Sequence, residues 1–266
     1  MKLTILGSGS GFIREKRTSA SFLLNADSGE AFLLDAGWGA PSRLLQAGQN
    51  IQSIDHILIS HPHADHIGSL MNILQSMLLA GYETTGKGYQ ERKRKKPLYL
   101  HGYSGFKAHY ETLRGIMMPE RAEPYEIKIL EYKENKNTFG NCTISGTEVK
   151  HVPQYWSSSA FRIDADGKSI AYTGDCGFDE RFIKLAKGAD LGIFEMSISS
   201  QMYERGSWKG HLSPYECGLL ASKAGIKRIV LVHLYDNDSS ENIEKEVRKN
   251  FGGELIISQD LQTIKL

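Results

Sequence analysis

Six consecutive residues, His61-Pro62-His63-Ala64-Asp65-His66, hold three imidazoles and a carboxylate. Nitrogen and oxygen donors at this density suit zinc, and also manganese or iron. Their spacing divides them. His61 and His63 alternate along the chain and can reach one ion together, while Asp65 and His66, further round the turn, can address a second. The alternative is a polar turn in which Asp65 caps the following helix. Three later donors bear on the choice: His151, Asp175 and His233. Each is expected just past a strand, over 143–150, 169–173 and 228–232 respectively. In α/β sheets the edge where strands end is where sites assemble. A lone histidine there is usually an ordinary buried or capping residue, whereas several donors at one topological address point to a common site.

The elements that must position these donors are legible in outline. A strand over 2–6 leads into the glycine-rich Gly7-Ser8-Gly9-Ser10-Gly11. That spacing is no dinucleotide fingerprint and reads as a tight turn that lets backbone approach the site. Strands over 19–24 and 31–35 flank an Asp27-Ser28-Gly29 turn, a hairpin signal. A short helix over 41–47 precedes a strand over 55–60 that runs into His61. Apolar residues at helical spacing mark 67–80, and the polar, basic stretch 81–96 reads as a surface loop. A strand over 98–101 and a helix over 106–117 follow, then a β-rich stretch over 125–173 with a turn at Asp164-Ala165-Asp166-Gly167. Helices over 179–187, 214–224 and 240–249 then alternate with strands over 190–194, 228–232 and 254–257. Strands followed by strand–helix alternation, occurring twice, imply two similar α/β halves packed as a single unit over 1–266.

Composition narrows the setting. With 40% hydrophobic and 24% charged residues the chain reads as globular. A formal net charge of +1 leaves attraction to nucleic acid to local patches rather than a bulk field. No apolar run approaches the ~20 residues that span a bilayer, and the N-terminal apolar stretch is too short for a signal peptide. Cys142, Cys176 and Cys217 form no CxxC pair and no disulfide framework, which fits a reducing cytosol.

On this donor pattern, HxHxDH followed by His, Asp and His, the chain resembles the metallo-β-lactamase superfamily. The resemblance implies a four-layer αββα fold with the metal site at the strand C-terminal edge. By position it implies His61, His63 and His151 on one metal, Asp65, His66 and His233 on the other, and Asp175 bridging the two. It is closer to ribonuclease Z and its phosphodiesterase relatives over nearly the whole chain. The matching stretches include Leu6-Gly7-Ser8-Gly9, Leu34-Asp35-Ala36-Gly37, Ala171-Tyr172-Thr173-Gly174-Asp175 and Gly210-His211-Leu212-Ser213. The implied chemistry is attack on a phosphodiester by hydroxide held between two metal ions, with Asp65 able to take the water's proton. Ribonuclease Z-like proteins carry a Glu and a His where this chain has Glu195 and His211. His211 would then protonate the leaving alkoxide and Glu195 would orient it; otherwise His211 caps the next helix and Glu195 is a surface carboxylate. Dimers are common in this group, so a homodimer is expected.

One feature departs from the tRNA-processing members. The bacterial type carries a protruding tRNA-gripping arm in the interval matching His151 to Asp175, and here that interval holds one hairpin and no room for an arm. The run Arg92-Lys93-Arg94-Lys95-Lys96 could neutralise backbone phosphates in its place, or be a solvated face without aromatics inside it to stack bases; Tyr82 and Tyr89 lie nearby. RNA thus remains one candidate substrate. Arg14 and Arg17 could reach a phosphate or face solvent, Tyr155 and Trp156 could line the pocket or the core, and Asp35 could support the metals or a turn. His56, His101 and His109 lie outside the pattern, His56 and His109 as structural or exposed residues. Three other functions compete: hydrolysis of a lactam, lactone, thioester or sulfate ester; di-iron redox chemistry, disfavoured because His63 is retained; and a non-catalytic nucleic-acid-binding module.

Overall fold

The computed structural model describes residues 1–266 except 81, 86, 87, 92, 93, 120–122, 200, 201, 203–208 and 236–238, and leaves out the side chains of 80–93. Strands β1 (Lys2–Gly7), β2 (Ser21–Asn25), β3 (Ala31–Leu34), β4 (His56–Ile59), β7 (Leu98–Tyr103), β8 (Ile127–Tyr132) and β16 (Thr263–Lys265) build one seven-stranded sheet. Its order is β16-β1-β2-β3-β4-β7-β8. Strands β9 (Glu134–Phe139), β10 (Cys142–Val149), β11 (Ser158–Ala165), β12 (Lys168–Tyr172), β13 (Leu191–Glu195), β14 (Arg228–Val232) and β15 (Glu254–Ile257) build the second, in the order β15-β14-β13-β12-β11-β10-β9. Helices α1 (Ala40–Gln46), α2 (Ala64–Ile67), α3 (Leu70–Ala80) and α4 (Phe106–Met117) fall in the first half, and α5 (Glu180–Leu185), α6 (Pro214–Ala224) and α7 (Ser240–Arg248) in the second.

The central strands are apolar on both faces, unlike the polar edge strand β9, and alternation decides which neighbour each face meets. Leu3 and Ile5 of β1, Phe22 and Leu24 of β2 and Leu58 of β4 point into a core shared with Phe161, Ile170, Ile193 and Val230 of the second sheet. The intervening Leu23, Ile57 and Ile59 point outward, where Leu44, Leu70, Leu74 and Phe106 of the helices cover them. The second sheet repeats this: Ile229 and Leu231 face Phe182, Cys217, Leu220 and Val247. Burying each such large side chain stabilises by roughly 1.5–3 kcal/mol. The result is a four-layer αββα stack with a mixed sheet in each half.

Three local departures from the sequence reading have physical causes. Within 81–96, β5 (Tyr82–Thr85) and β6 (Gly88–Glu91) pair antiparallel, so the stretch is a hairpin where a loop was expected; its polar composition obscured the pairing. Strand β16 escaped notice because its three residues carry no period, yet it closes the first sheet against β1. The helical pattern over 67–80 is broken at Gly68, so α3 starts at Leu70 after the single turn of α2. Among the described residues no helix is long and apolar enough to cross a membrane. The three cysteines are free and buried.

Candidate metal centre

Four of the candidate donors and Glu195 sit at strand ends, while His63, Asp65 and His66 start α2 and His211 precedes α6. His61 follows β4, His151 follows β10, Asp175 follows β12, His233 follows β14, and Glu195 is the last residue of β13. Gly174 has φ +57, and a Cβ there would sit 2.7 Å from Cβ of Ser60, so glycine is what lets Asp175 pass beneath the histidine segment. Asp35 (φ 54) and His233 (φ 58) adopt the left-handed region without being glycine, a strain that clusters at functional sites. The glycine-rich turn approaches the site as expected: a Cβ on Gly11 would lie 3.2 Å from the Asp65 carboxylate. Asp260 pins that turn, accepting from Ser8 N–H and hydroxyl and from Thr18 N–H and hydroxyl. Asp65 itself is in the first turn of α2 and is not its cap; His63 holds that position without a side-chain capping bond.

The outward nitrogen of four imidazoles is committed, which fixes their tautomers by inference from the hydrogen-bond network. His151 Nδ1–H donates to the Gly210 carbonyl at 2.9 Å. The Ser60 hydroxyl donates to Asp35 at 2.7 Å, so at 3.0 Å it accepts from His61 Nδ1–H. His66 Nδ1–H donates to Asp35 at 2.7 Å. The Ser197 hydroxyl donates to Glu195 at 2.7 Å and so accepts from His233 Nδ1–H at 2.5 Å. The Nε2 atoms of all four then carry lone pairs, and they point inward. His61 Nε2 and His151 Nε2 lie 2.9 Å and 3.2 Å from His63 Nδ1, which has at most one proton to share. His233 Nε2 faces Asp65 Oδ2 at 3.2 Å and Asp175 Oδ2 at 3.3 Å. His66 Nε2 faces Asp175 Oδ1 at 3.3 Å, and both atoms are buried without a hydrogen-bond partner.

Acceptors packed against acceptors are satisfied by cations, and the donors group accordingly. Ligand atoms of His61, His63, His151 and Asp175 all lie within 4.8 Å of one another, as do those of Asp65, His66 and His233. A third grouping at the same spacing joins Asp175, His211 and His233. The donor chemistry and the orphaned atoms fit divalent metal ions. The carboxylates draw positive charge to the centre: against its burial, His66 is held well above its usual value by Asp175, Asp65 and Asp35. Burial alone would raise the Asp65 carboxyl, yet His66 and His233 beside it bring it to about 2. Burial and the neighbouring imidazoles hold His61 well below its usual value, which keeps it a neutral donor.

Glu195 and His211 also come together. His211 Nδ1 lies 3.1 Å from Glu195 Oε1 and 3.9 Å from Asp175 Oδ2. Glu195 is 1% exposed, so it is no surface carboxylate, and it also accepts the Leu212 N–H. Burial would lower the His211 imidazole, but the charge and hydrogen bond of Glu195 raise it to about 9. Helix α6 is capped by Ser213 in a capping box with Glu216, so His211 is not the cap.

The remaining expected residues divide. Asp35 is fully buried and accepts from Ser60, His66 and Tyr172, so it supports the centre rather than a turn. Trp156 packs edge-on to His63 at 5.1 Å, which places it at the site, not in the core. Arg17 is tied to the Ser8 hydroxyl and the Ser258 carbonyl, while Arg14 lies over the Phe12 ring. In the basic run, Arg92 and Lys93 lie outside the described residues; Arg94 pairs with Asp55 at 3.1 Å, and Lys95 and Lys96 are exposed. Arg94 is thus spent on the fold. Tyr82 and Tyr89 lie where side chains are not described. His109 sits on α4, bonded to the Tyr103 hydroxyl at 2.6 Å.

Comparison with known proteins completes the assignment. The family model described as anti-Pycsar protein Apyc1 matches residues 1–251. The chain belongs to this family. As an Apyc1 family member it is also 26% identical to the probable metallo-hydrolase YhfI of Bacillus subtilis, covering 97% of both proteins. It is 24% identical to ribonuclease Z of Methanosarcina acetivorans, covering 100% of this chain and 98% of that protein. The crystal structure of YhfI, described as a metallo-β-lactamase fold protein, superposes with a TM-score of 0.79 at 21% identity over 99% of this chain and 98% of that one. Human tRNase Z, short form, superposes with a TM-score of 0.74 at 21% identity over 100% and 99%. The fold is therefore that of the metallo-β-lactamase superfamily, and with these relatives the chain falls among its metal-dependent hydrolases.

Sequence reasoning missed three side chains that orient the donors of this family member: Ser60, Ser197 and Tyr172. Ser60 directly precedes His61, and Ser197 stands two positions after Glu195. Serine is too common for either position to signal a role.

Proposed function

We propose that the chain is a phosphodiesterase working with two divalent metal ions, zinc ahead of manganese or iron, with residues 1–266 acting as one unit. His61, His63 and His151 would hold one ion and Asp65, His66 and His233 the other, with Asp175 between them. The observation that carries the reading is the convergence of inward lone pairs on Asp65 and Asp175, with the Glu195–His211 pair beside the same carboxylate. When bound, such an ion pair acidifies water to give a nucleophile at neutral pH and neutralises charge on phosphoryl oxygens.

The chain's own residues supply the rest. The Asp65 carboxylate is positioned to accept the water's proton. His211 gives the leaving alkoxide its Nε2 proton while Nδ1–H stays on Glu195, which holds the ring in place and stabilises its charge. Asp35, Ser60 and Ser197 keep His66, His61 and His233 in the tautomers that present Nε2.

Ribonuclease Z relatives make RNA a candidate substrate, but a smaller phosphodiester fits better. The alignment to the Methanosarcina protein runs over 313 positions although this chain has 266 residues, so that relative carries segments missing here. Between His151 and Asp175 stands only the β11–β12 hairpin. A cytosolic location, from three free buried cysteines, and a homodimer, from the ribonuclease Z resemblance, belong to the same reading.

The test is hydrolysis of bis-p-nitrophenyl phosphate with metal content measured in parallel. Two metal equivalents and an activity abolished by chelator, then restored by zinc or manganese, are expected; RNA and cyclic nucleotides would be assayed next. Two equivalents without turnover would move the assignment to lactam, lactone, thioester or sulfate ester substrates.

A further inference from the structure

His211 stands among metal donors as well as beside Glu195. Ligand atoms of Asp175, His211 and His233 lie within 4.8 Å of one another, as those of Asp65, His66 and His233 do. Asp175 Oδ2 is 3.3 Å from His233 Nε2 and 3.9 Å from His211 Nδ1. Donors bound at about 2.0–2.2 Å around a tetrahedral ion stand roughly 3.3–3.6 Å apart. One of the two separations already has that value, and the other needs a shift of only about 0.3 Å to reach it. The His211 and His233 rings lie nearly parallel, with planes 17° apart and centroids at 5.7 Å. All three residues are buried, so packing holds the group together. Two imidazoles and a carboxylate are a ligand set that zinc accepts, with the fourth position left to water.

This group and the Asp65–His66 group meet in His233. Its Nδ1–H is committed to the Ser197 hydroxyl, so Nε2 carries the single lone pair that the ring can offer. One lone pair binds one ion, and the two groups cannot be filled together. We propose that the second ion has two mutually exclusive seats: a working seat on Asp65, His66 and His233, and an idle seat on Asp175, His211 and His233. In the idle seat His211 binds through Nδ1. The Nδ1 proton passes to solvent, and the hydrogen bond from Nδ1–H to Glu195 is broken. The ring keeps its Nε2–H but is fixed as a ligand, so the group that protonates the leaving alkoxide is withdrawn without any loss of metal. Glu195 decides between the seats, because Nδ1 is closed to metal for as long as its proton stays on that carboxylate. The inference rests on the two-ion reading.

Metal equivalents decide it without turnover. The parent, loaded with zinc and freed of excess, should hold two. Asp65→Ala and His66→Ala each damage the working seat and leave the idle one whole. Each should still hold two equivalents, the second more weakly in competition with a chelator. Asp65→Ala combined with His211→Ala should hold one. A second readout is the nitrogen-15 spectrum of the His211 ring. In zinc-loaded Asp65→Ala, Nδ1 should have lost its proton to the metal, whereas in the parent Nδ1 keeps it. One equivalent in both single variants, with circular dichroism like the parent's, overturns the idle seat and leaves the two-ion reading standing. Two equivalents in the double variant overturn it as well, since His211 is then no ligand. Fewer than two in the parent sink the two-ion reading itself.

Discussion

Strand β4 carries a histidine cluster at each end, and the two differ in kind. At its start His56 stacks between Phe32 and Tyr99, and its Nδ1 lies 3.0 Å from His101 Nε2. His101 Nδ1 in turn lies 3.0 Å from the Tyr132 hydroxyl. Each contact in that chain needs one proton and one lone pair, and neutral tautomers supply them in either direction along the chain. At the other end His61, His63, His66, His151 and His233 direct lone pairs at one another and at Asp65 and Asp175. No assignment of protons on neutral rings satisfies that set. Both ends gather histidines, two at the start of the strand and five at its end. What separates them is whether outward partners such as Asp35, Ser197 and the Gly210 carbonyl have already taken the N–H groups.

The sharpest way to break the comparison is to remove a donor. His63→Ala or Asp175→Ala should lose at least one metal equivalent by elemental analysis and abolish hydrolysis. Two equivalents retained in either variant would end the ligand assignment. His211→Ala should keep both metals yet lose turnover by roughly 10²–10⁴-fold, the usual worth of a general acid. Turnover at the parent level would reduce His211 to a packing residue. Asp35→Asn should act on the metals more gently. The ring of His66 loses its anionic partner, and affinity should drop roughly 10–100-fold in competition with a chelator. An affinity equal to the parent's would show that the negative charge of Asp35 is not needed to hold His66.

The smallest effect belongs to the closed cluster and appears as a pH dependence. Burial brings His56 to about 4, with Arg94 and Lys96 adding to the effect and Glu30 opposing it. Burial and His56 also hold His101 well below its usual value. A base whose folded pKa is depressed binds fewer protons in the native state. Its contribution is therefore complete above the unfolded value of ~6.5 and is lost as pH falls toward 4. For His56 the loss over that window is on the order of 3 kcal/mol. His56→Phe should flatten the fall in denaturation midpoint between pH 6.5 and 4 without changing metal content. A slope as steep as the parent's would assign the acid sensitivity to other groups.

Much of this was legible in the sequence because it depends on local order. Periodicity located the helix over 67–80, though not its break at Gly68, since helical spacing records the face that must be buried. The six-residue motif announced a metal centre through residue types alone, and the strand ends placed His151, Asp175 and His233 at one edge. The β5–β6 hairpin was not legible, because polar strands leave no apolar period. Strand β16 was hidden by length, and its place beside β1 depends on a partner at the far end of the chain.

Residue type and spacing by themselves pointed to the donors and to the strand edge, because imidazoles and carboxylates are groups that short turns can aim at one ion; the Glu195–His211 pair came from the resemblance to ribonuclease Z. Tertiary structure alone decided how each donor is aimed. The Tyr172 hydroxyl and the Ser60 hydroxyl reach Asp35 across 137 and 25 positions of sequence, and Ser197 reaches His233 across 36. Hydrogen-bond partners set which imidazole nitrogen carries the proton; Asp35 and Ser197 reach their histidines through strands that pair within one sheet, and Tyr172 reaches Asp35 only when the two sheets pack.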